Sequence, residues 1–493
     1  MKRTITLLSL LVFVFAVIPA GAISPIAPFV TPPAPKFTDT ERQAELARRR
    51  AAVEAKMTDN STMVLFSAEP KLYTNDVDYV FRQENNLYYL TNLKQPNATL
   101  IITKKGGQIS ETLYLPKRVP SRETWNGHMY SVEEASAISG IKNIVDAAQS
   151  KTALDGFGSK MNAVQETFYL LLPENDLDNE GMREFRVENE YSKHLASAGL
   201  KVLNAQPIFA ALRLIKSPYE LKMLQHAVDI SMEGHMRTWA AAGSATMEYE
   251  VQAEFEYVLR RRNADYWGYP SIVGCGPNAT TLHYEESQGP VTKGSLLLID
   301  AAAEYDHYSA DVTRTFPVNG KFAKEQAEIY QIVYDAQEAA AKLAKPGATF
   351  NQLGNAATEV IKDGLFRLGL ITDKNSNQYR TWYMHGLGHW IGMNVHDVGD
   401  YDKPFAPGMT FTNEPGIYIR ADAFDYLPDT PANRAFIAKV RPAFEKYKNI
   451  GVRIEDDMLI TPTGVEWMTG KLPRKMSDIE AFIGDASKTV VLK

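Results

Sequence analysis

Leu296-Leu297-Leu298-Ile299-Asp300 and Asp311-Val312-Thr313-Arg314-Thr315-Phe316 read as a pair of strands. The first is apolar until it ends in an acid, and the second alternates. A hairpin centred on Tyr305-Asp306 would set Asp300 directly opposite Asp311, with Cβ atoms about 4.5–5.5 Å apart on one face. Tyr-Asp is not a preferred hairpin pair. The plain alternative is two acids on an exposed sheet face. Ile299 and the small run Ala301-Ala302-Ala303 argue against exposure. Buried together, two carboxylates repel and resist ionisation unless cations neutralise them.

Three later segments could supply further ligands. Met384-His385-Gly386-Leu387-Gly388-His389-Trp390-Ile391-Gly392 holds two histidines at i, i+4. Gly386 stands where a helical zinc motif needs glutamate, and three glycines disfavour a helix. The expectation is a glycine-rich turn that brings backbone close to a buried site. His396-Asp397 follows, so three of nine histidines fall within twelve residues. Glu414 precedes Pro415-Gly416, a turn that would fix its backbone. In Val452-Arg453-Ile454-Glu455-Asp456-Asp457, residues Arg453, Glu455 and Asp457 share one strand face. Taken alone, that face reads as solvated. If Asp300, Asp311, His389, Glu414 and Glu455 converge, the set suits paired Mn, Co, Zn or Fe ions. Two such ions can generate a hydroxide and stabilise a tetrahedral intermediate.

The chain has 493 residues, 45% hydrophobic and 23% charged, with net charge −6. That length implies two or three domains. No basic block or stripe points to nucleic acid. Residues 1–22 read as a secretory signal peptide: Lys2 and Arg3, an apolar run from Ile5 to Ile18, then Ala20-Gly21-Ala22. An uncleaved anchor is the alternative. The expected location is periplasmic or secreted, with no membrane contact after cleavage. Cys275 is the only cysteine, so no intramolecular disulfide can form. Between Gly274 and Gly276 it reads as a small packed residue rather than a nucleophile, which needs a paired base.

A proline-rich leader spans 23–40. A helix follows over about 40–56, capped by Thr38 or Thr40. Met63–Phe66, Thr99–Ile102 and Thr112–Leu115 read as strands, with helices near 132–137 and 153–160. A first domain is placed at 41–205. Ser217-Pro218-Tyr219-Glu220 is a helix start, combining a serine cap, proline at the first position and a capping box. A second domain is placed at 206–470 and a tail at 471–493. Helices are expected at 323–344, with Ile329, Val333, Ala336, Ala340 and Leu343 as its apolar stripe, and at 350–369. Beyond 380 only short strands and turns are expected.

In order and spacing, these runs resemble the pita-bread metallopeptidases, most closely aminopeptidase P (Xaa-Pro aminopeptidase). The matching runs also include Ala310–Gly320, Val395–Gly399, Asn413–Tyr418 and Gly451–Asp457. Asp78–Asn92 resembles the signature of that family's N-terminal domain. The implied fold is an α/β N-terminal domain plus an α+β pita-bread (creatinase/aminopeptidase) catalytic domain. The implied activity is hydrolysis of the Xaa-Pro bond at a peptide N-terminus through a metal-bridging hydroxide. Asp300 would hold one ion, Asp311 and Glu455 would bridge both, and His389 and Glu414 would complete the second. Mn(2+) is the implied metal, with Zn or Co as alternatives. Glu414 would shuttle the proton, and His283 and His396 would stabilise the oxyanion. His385, Tyr418 and Arg453 would line the proline pocket, and Tyr269 would approach the metals. The implied partners are peptides with proline second, and a second copy in a dimer or tetramer. Trp125 would contact that neighbour, or else sit in the core. Glu414 and Glu455 lie 41 positions apart, and a charged, proline-rich insert at about 420–448 falls between them. Prolidase has the same ligands and is the alternative activity; a non-enzymatic pita-bread binding module is the remaining one. No arginine lies between His396 and Glu414, which departs from the family's expected recognition of a substrate carboxylate.

Overall fold

The computed structural model describes residues 28–158, 166–173 and 185–489. The expected signal peptide lies outside these residues. The leader's described part docks on the helix Pro218–Ala242, where Thr31 N donates to Glu233 Oε2 at 2.8 Å. The first helix, Asp39–Lys56, begins where Thr38 and Glu41 form a capping box.

A six-stranded sheet follows. Its strand Ser61–Phe66 is buried throughout, antiparallel to Thr99–Lys105 and parallel to Thr167–Leu170. Burial on both faces explains why these strands read as unbroken apolar runs. The helix expected near 153–160 covers Ser150–Gly158, and its expected end lies outside the described residues. Trp125 sits on the short helix Pro120–Asn126 and is 86% exposed, so the core alternative for it is wrong.

Ser217, Pro218 and Glu220 start the helix Pro218–Ala242 in the expected way. This helix packs against Glu248–Arg261 and against the outer half of the acid-bearing hairpin. The hairpin itself differs from expectation. Its turn is Asp306-His307, both with positive φ, and Asp300 faces Thr313 rather than Asp311. A two-residue turn of this hand needs positive φ at both centres, which aspartate and histidine tolerate better than tyrosine. The hairpin therefore closes one residue later than Tyr305-Asp306. Asp300 and Asp311 become diagonal neighbours on the strand pair.

The N-terminal domain clamps the hairpin's tip. Arg82 donates to Glu304 at 2.8 Å and to Met393 O at 2.7 Å. The Tyr88 ring stacks on His307 with centroids 3.7 Å apart.

Lys324–Leu343 and Phe350–Arg367 form as expected, the second with the Thr349–Gln352 capping box. Ile329, Val333, Ala336 and Ala340 are buried, but Leu343 is 42% exposed. It ends the helix, just before the extended cap Ala344, and so leaves the stripe.

The expectation of only strands and turns after 380 fails for the insert. Pro431–Tyr447 is a helix capped by Thr430, with Phe436, Val440, Phe444 and Tyr447 on its buried face. The interior Pro442 and the surrounding charges hid that stripe. Tyr447 hydroxyl ties the helix to Glu328 at 2.5 Å. The tail likewise carries a helix, Met476–Thr489. Among the described residues no helix is long and apolar enough to cross a membrane.

Candidate metal centre

Four separate segments deliver acids and an imidazole to one cavity of about 420 Å³. Asp300 ends the strand Leu296–Asp300, and Asp311 lies just before the strand Thr313–Pro317. His389 comes from the glycine-rich turn, which is not helical. A Cβ on Gly388 would meet Thr412 O at 2.0 Å, so glycine there lets the turn lie against the strand Thr410–Asn413. Glu414 follows that strand. Glu455 sits in the break between Gly451–Arg453 and Asp456–Thr461.

Asp311, His389 and Glu455 each offer a ligand atom within 4.8 Å of the others. His389 Nε2 lies 3.2 Å from Asp311 Oδ2 and 3.3 Å from Glu414 Oε1. Asp300 accepts from Tyr269 hydroxyl at 2.6 Å and from the Arg453 guanidinium. Neighbouring hydroxyls fix two of the carboxylates: Thr313 Oγ1 donates to Glu455 at 2.5 Å and Thr412 Oγ1 to Glu414 at 3.1 Å.

The solvated-face reading of Arg453, Glu455 and Asp457 is wrong; all three are buried. Alternation had grouped them correctly, but the face turns inward onto the hairpin. Asp456 is buried too, paired with the fully buried Arg314 at 2.6 Å.

The charges conflict. Burial pushes Glu414 up to about 7, with His389 offsetting part of this and Asp311 adding to it. Burial and then Asp311 drive Glu455 well above the usual carboxylate range. Burial would lower His389, but its hydrogen bond to Asp311 and the Glu414 charge raise it to about 9. Asp457 accepts from Asp311 N at 3.1 Å, while its Oδ1 is buried without a partner. Carboxylates this crowded need more positive charge than Arg453 and one imidazole supply. The donor set therefore fits a pair of divalent cations.

His283, His385, His396, Tyr269 and Arg453 line the same cavity. His283 and His396 are exposed at its mouth, and the His396 ring lies edge-on to His389 with centroids 4.3 Å apart. Tyr418 does not line it. It is fully buried behind the wall, its hydroxyl 2.9 Å from His385 Nε2 and accepting from Arg453 Nη1 at 2.8 Å. Burial, then Arg453, lowers His385 to about 3, so its ring is neutral. Cys275 is buried against Thr292 N, and burial raises its thiol, as suits a packed residue. The reading of the sequence missed Thr313 and Thr412. Each lies two residues from a candidate ligand, Asp311 or Glu414, and the period of two that strands impose could have found them.

Residues 222–462 match the model of metallopeptidase family M24, and residues 46–165 match that of the aminopeptidase P N-terminal domain. The chain is 36% identical to the Xaa-Pro aminopeptidase of Haemophilus influenzae, over 88% of this chain and 96% of that one. It is 32% identical to the Xaa-Pro aminopeptidase of Escherichia coli, over 92% and 100%. The solved structure of zinc-substituted Escherichia coli aminopeptidase P in complex with product superposes with a TM-score of 0.78. The identity there is 30%, covering 92% of this chain and all of that one.

Proposed function

The chain belongs to metallopeptidase family M24, in its aminopeptidase P branch, and from that we propose that it removes the first residue from peptides whose second residue is proline. The observation that carries this reading is the convergence of Asp300, Asp311, His389, Glu414 and Glu455 on one cavity. An X-Pro bond is a tertiary amide with no N–H and a rigid ring on the leaving side. A site that reads only the carbonyl and the ring suits it. Pro270, Ile272, Leu282 and Val395 give the cavity apolar wall for such a ring beside the neutral His385.

The five ligand residues would hold two divalent cations, Mn(2+) by preference, which when bound supply Lewis acidity and a lowered pKa for water. Glu414, held by Thr412, would take a proton from the attacking water and return it to the prolyl nitrogen. His283 and His396, at the mouth, would donate to the carbonyl oxygen as charge develops there. Tyr269 holds Asp300 from behind, and Tyr418 braces His385 and Arg453. Export is part of the proposal, on the apolar run Ile5–Ile18 behind Lys2-Arg3. A dimer or tetramer is also proposed, on the exposed Trp125.

The test is hydrolysis of Arg-Pro-Pro and Gly-Pro by the Mn-loaded protein. Release of arginine from the tripeptide is expected. Cleavage of Gly-Pro alone would replace the proposal with a dipeptidase, and cleavage of neither would remove it.

A further inference from the structure

The hairpin that carries Asp300 and Asp311 keeps one register from end to end. Asp300 pairs with Thr313 inside, and Glu304 pairs with Ser309 at the tip. Ala301 and Val312 therefore face each other, each directly after an acid. In an antiparallel ladder such a pair exchanges two hydrogen bonds. Only one is made: Ala301 N donates to Val312 O at 3.1 Å. Val312 N donates instead to Tyr269 hydroxyl at 3.3 Å, and that hydroxyl donates to Asp300. The rung between the two acids is half open, and its free carbonyl needs another donor.

His235 supplies it. The residue lies on the helix Pro218–Ala242 and is fully buried. Its Nε2 is 3.0 Å from Ala301 O and 3.1 Å from Val312 O. Both partners are acceptors, which fixes the proton on Nε2. Its Nδ1 has no hydrogen-bond partner. The ring stands edge-on to Phe255, with centroids 5.4 Å apart. Gly234 lets that phenylalanine close in, since a Cβ there would meet the Phe255 ring at 2.6 Å. One turn earlier on the helix, Ser231 Oγ accepts from Ala303 N at 2.9 Å. A single helix face thus pins the hairpin at the opened rung and again two residues nearer the tip.

We propose that His235 is a positioning residue for the metal centre: its shared Nε2–H bond to Ala301 and Val312 sets the spacing of Asp300 and Asp311. Tyr269 takes the other half of the same rung and orients the Asp300 carboxylate. Loss of the His235 donor leaves a buried carbonyl unpaired and lets the strands shift, with cost to cation affinity rather than to the ring chemistry at the cavity mouth. Residues that orient metal ligands in this way change affinity by about 10–100-fold when replaced. The inference rests on the reading of these acids as metal ligands.

The test compares His235→Met with His235→Gln. The two side chains have similar length, but only glutamine keeps an N–H at the reach of Nε2. Mn(2+) is titrated calorimetrically into chelator-stripped full-length protein, with circular dichroism as the check on folding. Expected is a dissociation constant raised about 10–100-fold in His235→Met and within about threefold of the parent in His235→Gln. Phe255→Leu controls for general loosening of the two helices and should bind Mn(2+) as the parent does. If His235→Met does not fold, His235→Asn, whose donor falls short of both carbonyls, is expected to show the same weakening. Equal binding by the parent and the donor-lacking variant overturns the proposal, as does equal weakening in Phe255→Leu. A parent protein that binds no Mn(2+) overturns instead the metal reading on which it rests.

Discussion

His389 Nε2 stands 3.2 Å from Asp311 Oδ2, so an imidazole from the glycine-rich turn and a carboxylate from the hairpin reach the same point. Each corrects a problem for the other: the acid raises the imidazole, and the imidazole offsets repulsion among the acids. Divalent cations would take over both roles, and the centre's stability would then depend on metal.

Asp311→Ala removes the carboxylate nearest His389. Its activity on Arg-Pro-Pro should fall by on the order of 10²–10³-fold. The parent should gain about 2.7 kcal/mol of stability at Mn(2+) one hundred times its dissociation constant, and the variant far less at the same concentration. Calorimetric melts with and without Mn(2+) read this directly. Activity unchanged by the substitution and by chelators would rule out metal catalysis.

Arg314→Met breaks a fully buried ion pair. Arg314 donates to Asp456 at 2.6 Å and to Glu455 O at 2.6 Å, so it anchors the backbone of a candidate metal ligand. Leaving Asp456 buried with less compensation should cost about 3–5 kcal/mol. Arg474 and Gln337 also reach Asp456, at 3.7 and 2.8 Å, and put the value nearer the lower end. Urea unfolding measures it; a loss under 1 kcal/mol would show the pair to be dispensable.

Tyr418→Phe removes the hydroxyl that bridges His385 and Arg453. The bond from a charged guanidinium should cost about 1.5–3 kcal/mol of stability. Since Tyr418 lies behind the cavity wall, its loss should act through substrate placement. KM for the tripeptide should rise by up to about tenfold, equivalent to about 1.4 kcal/mol, with kcat changed less. A fall in kcat at constant KM would place the residue in the chemistry instead.

Much of this arrangement could be read from residue order, and the failures have physical causes. The two acid-ended runs announce a buried hairpin, yet the turn's location depends on which residues accept positive φ, and Asp306-His307 is a weak sequence signal. Glu455 looked solvated because alternation reports which residues share a face but not which way that face turns. The hairpin opposite, with Thr313 and Arg314, is what makes it an interior face. The helix Pro431–Tyr447 was hidden by Pro442, which ordinarily breaks helices. Here Phe436, Val440 and Phe444 bury a stripe that outweighs it. Tyr418 was expected at the wall on the family resemblance, and a matching motif cannot separate a residue that touches a ligand from one that braces its neighbour.

Glu54→Gln tests the electrostatics away from the cavity. Burial, followed by the hydrogen bond and charge of Glu111, raises Glu54 to about 6. A carboxyl whose pKa is higher folded than unfolded holds its proton more tightly in the native state. Between about pH 4.5 and 6 the unfolded chain has released that proton while the folded one keeps it. Stability therefore falls as pH rises through this window, and the loss is complete above it. A glutamine amide cannot ionise, and it can donate to Glu111 at any pH. Glu54→Gln should then melt higher than the parent at pH 7.5, with the gap closing towards pH 4.5. The site is half-buried and open to solvent, so screening limits the gain to about 1–2 °C. Thermal melts of both proteins at the two pH values decide it: an offset of the same size at each would mean that Glu54 does not carry the strain assigned to it.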